Sequence, residues 1–214
     1  MAADESRPRF TLYYVPPSYY SQKVLMALYE KGELFTERLV NLGKGEGTAK
    51  WYMEINPAGQ VPVLGDRGKL IPESEDIIEY IDREIPHEPI LVPSPDTDLG
   101  KNVEKFRKLI KQTPVEILTH GLWYNPEMSP GGMASPRDKA GAEGETWLLG
   151  RGFTAADINL AVLLKRLTKL GLFSIYCSQN KRQSLWHYWE RVQKRLPFLK
   201  ITELENNYSK SLQK

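Results

Sequence analysis

Two stretches of this chain combine residue types that can bind a peptide-like ligand. Asn56-Pro57-Ala58-Gly59-Gln60-Val61-Pro62-Val63-Leu64 places two prolines and a glycine ahead of a short apolar run. That is the pattern of a turn feeding a strand. An X-Pro bond adopts the cis form at a cost of only about 0.5–1 kcal/mol. A cis bond between Val61 and Pro62 would turn Val61 outward, and its N–H and C=O could then pair with an extended peptide like an added strand. The same residues also suit a trans proline opening an edge strand. Further on, Pro72-Glu73-Ser74-Glu75-Asp76 runs into Ile77, Ile78 and Ile81. Ser74 reads as the N-cap of a helix with acidic residues in its first turn. A helix N-terminus beside Val61 would attract a ligand carboxylate.

The elements that must position these groups follow from pattern. Phe10 to Val15, aromatic and β-branched, reads as a first strand stopped by Pro16-Pro17. A helix from Ser18 or Ser21 to Lys31 follows, with Val24, Leu25 and Leu28 on its apolar face and Gly32 at its end. Phe35 to Leu42 reads as a second strand, and an irregular helix falls around Trp51-Tyr52-Met53. Gly65-Asp66-Arg67-Gly68 is the expected hairpin turn, with Lys69-Leu70-Ile71 returning. The proline-dense stretch from Ile85 to Asp96 is the expected linker between a first domain, 1–85, and an all-helical domain, 97–214. Helices are expected over Leu99 to Lys111, with a kink at Pro114, over Thr154 to Leu170 and over Leu185 to Leu196, with a polar helix before Lys214. Thr154-Ala155-Ala156-Asp157 has the form of a capping box, a structural device that makes a buried carboxylate tolerable.

Composition narrows the function classes. The 214 residues are 41% hydrophobic and 26% charged, an ordinary globular balance. A net charge of +2 without a dense basic run argues against a nucleic-acid partner. No apolar run reaches the roughly 18 residues that cross a membrane, and the first residues lack the basic and apolar regions of a signal peptide. The single Cys177 excludes an internal disulfide and a CxxC pair and fits a reducing cytosol. It is expected to pack as a small hydrophobe. His120 and His187 are isolated, so no metal site is expected. Lys165, Arg166 and Lys169 suit either a solvated helix face or a patch for peripheral membrane association.

N-P-x-G-x-V-P-V-L, then E-S, then I-I-E-Y-I resembles the N-terminal, thioredoxin-like domain of glutathione transferases. Gly150 to Asp157 matches the G-x-x-x-T-x-A-D capping motif of their helical second domain. The resemblance implies an α/β thioredoxin-like domain followed by an all-α domain, glutathione as co-substrate, a small hydrophobic electrophile as its partner, and a homodimer. Carried over by position, glutathione binding falls on Gln60, Val61, Pro62, Glu73 and Ser74, with Val61 meeting the cysteinyl backbone and Glu73-Ser74 the γ-glutamyl end. Ser21-Gln22-Lys23-Val24, Thr119-His120-Gly121 and Leu163 to Leu167 with Leu170-Gly171 further resemble the ganglioside-induced differentiation-associated proteins. That branch is tied to the mitochondrial outer membrane and carries a long inserted helical segment. Here a short Gly-, Pro- and Ser-rich connection, Pro126 to Glu145, takes its place. A shortened helical domain with exposed apolar surface is the corresponding expectation.

Glutathione chemistry needs a thiolate near neutral pH, although a free thiol has a pKa of about 8.5. A hydroxyl at a helix N-terminus stabilises the anion. Ser18 and Ser21 coincide with the serines of serine-type transferases and are the candidate catalytic residues, each also suited to a plain N-cap. Tyr14 stands where tyrosine-type classes keep their hydroxyl, though it also suits a strand aromatic. Two functions are expected from this: conjugation of glutathione to electrophiles in the cytoplasm, or a non-catalytic binding or scaffold role at the mitochondrial surface.

Overall fold

A computed structural model describes residues 8–112, 147–177 and 182–212. The readings at Pro114, Thr119-His120-Gly121 and Pro126 to Glu145 lie outside the described residues. The chain divides into two compact units, Met1–Val92 with Arg195–Lys214, and Pro93–Lys194.

In the first unit, Phe10, Leu12 and Tyr14 alternate inward along β1 (Phe10–Tyr14), the period of a strand buried on one face. β1 runs parallel to β2 (Phe35–Leu39) and antiparallel to β3 (Val63–Asp66), which pairs with β4 (Lys69–Pro72). The sheet order is β2-β1-β3-β4. Between β1 and β2 lies α1 (Tyr19–Glu30), with Val24, Leu25 and Leu28 fully buried as its spacing predicts. After β2 come two single 3₁₀ turns and the short α2 (Lys50–Met53). The second strand is shorter than expected, since Asn41 caps the first of those turns by accepting from Lys44 N–H. The hairpin turn is also tighter than expected. Arg67 and Gly68 both have positive φ, 49° and 86°, as in the two-residue turn that matches strand twist. Gly65 and Asp66 therefore stay in β3. Asp66 is held there by Arg9, whose Nε donates at 3.0 Å, and by the Tyr80 hydroxyl at 2.8 Å.

α3 (Ser74–Glu84) buries Ile77, Ile78 and Ile81 and packs on α1. In its last turn, Asp82 accepts from the N–H groups of Leu91 and Val92, each at 2.9 Å, and from the buried Lys31 ammonium at 2.7 Å. This fixes residues 85–92 to the first unit.

The second unit contains α4 (Asp98–Lys111), α5 (Ala155–Lys169), the short α6 (Phe173–Tyr176) and α7 (Gln183–Val192). Thr97 caps α4. Gly100 permits a close approach there, because a Cβ would meet the Ser94 carbonyl oxygen at 1.9 Å. The Thr154–Asp157 capping box is formed as its sequence indicates. Asp157 accepts from Thr154 N–H and, through its other oxygen, from Leu148 N–H at 2.8 Å. Its carboxyl is nonetheless pushed above the usual range by burial, against those bonds.

The helix expected over Leu185 to Leu196 ends early, and the polar helix expected before Lys214 follows it. α7 ends at Val192, and α8 (Leu196–Ser211) starts from an extended Arg195 with Pro197 in its first turn. Proline lacks an N–H and clashes with the preceding turn, so it opens a helix readily and rarely continues one. The expected helical domain, 97–214, is thus divided: α8 groups with the first unit, where it packs on α1.

Candidate functional site

Three segments of the first unit converge: the turn from β1 into α1, the bend before β3, and the start of α3. Val15, Val61 and Val63 share one buried cluster with Val40 and Tyr52. This sets the end of β1 against the bend before β3. The Lys23 ammonium, on the second turn of α1, pairs with Glu75 in the first turn of α3. It also lies over the rings of Tyr19 and Tyr20, 5.6 and 5.7 Å from their centroids.

The bend is built around one carbonyl. Gln60 C=O accepts from the Tyr52 hydroxyl at 2.7 Å and from Asn56 Nδ2 at 2.8 Å. Asn56 Oδ1 in turn accepts from Ala58 N–H, the Asx turn that an Asn-Pro start favours. Gln60 keeps its side chain exposed. The Val61-Pro62 bond is cis. Val61 precedes β3, and its N–H and C=O form no hydrogen bond with another described residue. It is therefore an unpaired stretch of backbone adjoining a sheet, the arrangement to which an extended peptide adds.

Ser74 is not the N-cap of α3. Glu73 occupies that position, with φ 67° and ψ 115°, and makes no capping bond from its side chain. Such a backbone costs a residue other than glycine on the order of 1–3 kcal/mol. Ser74 is the first helical residue and is buried, while Glu73 is exposed. The N-terminus of α3 thus lies next to a carboxylate and a hydroxyl held by an unusual backbone.

The candidate hydroxyls separate clearly. Ser18 is the N-cap of α1, accepts from Ser21 N–H at 3.2 Å and remains half-buried. Its own O–H stays available as a donor. Ser21 is fully buried inside the helix, where its oxygen faces Val15 N–H at a long 3.5 Å. Tyr14 is buried and donates to Glu37 at 2.6 Å. Burial and that carboxylate push its hydroxyl far above the usual tyrosine range, so it resists ionisation. Burial, with a smaller contribution from Tyr13, lifts Tyr52 to about 12, which keeps it a hydrogen-bond donor throughout the working pH range. Cys177 lies in the other unit, buried, with its thiol pushed up by burial. His187 is exposed beside Glu190.

Sequence reasoning missed Lys23, Glu75, Tyr52 and Asn56 as site-building residues. The Asx turn at Asn56 had a local signal; the Lys23–Glu75 pair joins two helices and had none.

A small mixed sheet with a proline bend facing a helix start, joined to a separate helical unit, defines the glutathione transferase type of fold. Residues 17–84 match the glutathione S-transferase N-terminal domain family. The chain is 26% identical to human ganglioside-induced differentiation-associated protein 1-like 1, over 91% of this chain and 74% of that protein. It is 24% identical to glutathione S-transferase TCHQD of Arabidopsis thaliana, over 89% and 88%. Among solved structures, glutathione transferase F2 of Populus trichocarpa matches with a TM-score of 0.73 at 22% identity, covering 92% of this chain and 99% of that one. Glutathione transferase URE2P8 of Phanerochaete chrysosporium, solved with oxidized glutathione, matches with a TM-score of 0.75 at 18% identity, covering 98% and 99%. Residues 17–84 thus carry a glutathione S-transferase N-terminal domain, and the fold is that of glutathione transferases.

Proposed function

We propose that the first unit binds glutathione and that the protein conjugates it to small hydrophobic electrophiles. The observation that carries this reading is the unpaired Val61 backbone beside the start of α3. The cysteinyl segment of glutathione would pair with Val61 N–H and C=O at the bend formed by Gln60 and Pro62. Its γ-glutamyl carboxylate would meet Ser74 and the N–H groups of the first turn of α3. The exposed Glu73 carboxylate would accept from the γ-glutamyl ammonium. Ser18 is the thiolate donor in this reading. Its O–H would lower the thiol pKa by bonding to the anion better than to the neutral thiol. Ser21, being fully buried, would support the helix start. Conjugation then needs only that the thiolate and electrophile be held together, which converts an encounter in solution into a step within one complex.

The engagement of Tyr14 with Glu37 and the burial of Ser21 favour a second reading, a non-catalytic glutathione binder. Ser18 then remains a cap and no hydroxyl serves the thiol. A homodimer is the assembly we assign, on family resemblance; sedimentation at micromolar concentration checks it. Among the described residues, no helix is long and apolar enough to cross a membrane.

Retention on immobilised glutathione, followed by a conjugation assay with a general electrophile, tests both readings. Retention with turnover supports the enzyme and retention without turnover supports the binder. Failure to be retained rejects both.

A further inference from the structure

We propose that α8 is a working part of the glutathione site: Glu205, acting through Gln22, sets the turn that presents Ser18. This rests on the glutathione-binding reading above.

The turn is Val15-Pro16-Pro17-Ser18. Neither proline has an N–H, so the segment has few means of locking itself. One internal bond closes it, Ser18 N–H to Val15 C=O at 3.1 Å. From outside, Ser21 Oγ accepts from Val15 N–H at a long 3.5 Å, and Gln22 Nε2 donates to Pro16 C=O at 2.9 Å. The same Nε2 donates its other hydrogen to Glu205 Oε2, also at 2.9 Å. The orientation of the amide is therefore fixed. A flipped Gln22 would set its oxygen against two acceptors, losing both bonds and adding repulsion. Gln22 is 3% exposed and Glu205 4%, so water does not substitute for either partner.

The rest of α8 holds Glu205 in place. At its start, Arg195 Nε donates to Glu30 at 2.9 Å, and Lys200 lies over the Tyr29 ring, 4.8 Å from its centroid. Toward its end, Tyr208 packs against the buried cluster that contains Val15 and Val61. One helix therefore reaches both the Ser18 turn and the cluster behind the Val61 bend. Glu205 and Gln22 touch no ligand atom in this scheme and are positioning residues.

The test is calorimetric titration of glutathione into the parent, Gln22→Met, Glu205→Leu, Glu205→Gln and the double variant Gln22→Met/Glu205→Leu. Thermal melts and amide exchange at Ser18 to Ser21 are measured on the same samples. Gln22→Met is expected to weaken glutathione about fivefold and Glu205→Leu by a similar factor, the size of one lost hydrogen bond. Glu205→Gln, whose amide oxygen still accepts from Gln22, is expected to stay near the parent. The double variant should be no weaker than the weaker-binding single variant, because the two residues form one relay. Faster exchange at Ser18 to Ser21 should accompany the loss. Parental affinity in folded Gln22→Met, or unchanged exchange at the turn, overturns the relay while leaving glutathione binding intact. A parent that does not bind glutathione overturns the reading on which the relay rests.

Discussion

The Gln60 carbonyl offers a quantitative test of how the bend is held. It accepts two hydrogen bonds, from Tyr52 and Asn56. Tyr52→Phe removes one of them and leaves the carbonyl satisfied by the other, so the expected cost is the net value of one bond, about 1 kcal/mol. In a chain of this size that lowers the melting midpoint by about 2–4 °C. Asn56→Ala removes its bond to Gln60 and also the Asx bond to Ala58, for a cost of about 2 kcal/mol. The double variant leaves the carbonyl with neither side-chain donor. Its cost should exceed the sum of the single changes, because each single variant leaves the carbonyl one side-chain donor and the double variant leaves it none. Urea unfolding of the four proteins gives the coupling directly. Because burial keeps the Tyr52 hydroxyl protonated up to about pH 12, the Tyr52→Phe effect should not vary between pH 6 and 9. Strict additivity would refute the idea that this one carbonyl organises the bend.

Other outcomes follow from the same geometry. Ser18→Ala should cut conjugation at least about tenfold and cost the helix about 1 kcal/mol through its lost cap, whereas Ser21→Ala should leave the rate within about twofold; steady-state assays and melts separate the two effects, and the reverse order would move the donor to Ser21. Ser74→Ala should weaken glutathione binding while leaving the melt nearly unchanged, since Ser74 is not the cap of α3; a calorimetric titration showing parental affinity would remove it from the site. Burial raises the Asp66 carboxyl, but the Arg9 and Tyr80 bonds outweigh this and hold it below its ordinary value. The stability it contributes is thus present above the ordinary aspartate pKa of about 3.9 and lost as pH falls below it. Asp66→Asn should accordingly flatten the acid limb of the stability profile, and an unchanged limb would show that other carboxylates control acid unfolding.

Local pattern made the bend, the hairpin, α1, α3 and the capping box legible, because each depends on residues close in sequence. Other features were not legible. Ser74 looks like a cap in isolation, but strand pairing carries β4 through Pro72 and leaves Glu73 to make the transition with a positive φ. The candidate hydroxyls could not be ranked from spacing, since the difference between Ser18 and Ser21 is burial. The placement of α8 had no local signal either. Its buried residues, Phe198, Ile201 and Glu205, are few, and their partners lie on a helix near the other end of the sequence.

The return of α8 to the first unit has a consequence for synthesis. The residues between Val92 and Arg195 must be translated before the docking surface on α1 can be covered. At ribosomal rates of about 5–20 residues per second, that delay is on the order of ten seconds. During it the nascent sheet and α1 are complete in sequence, yet Gln22 lacks Glu205 and the Val15–Val61 cluster lacks Tyr208. A growing chain is then exposed on the face that later supports the ligand site, a face on which a chaperone or a neighbouring nascent chain could settle first.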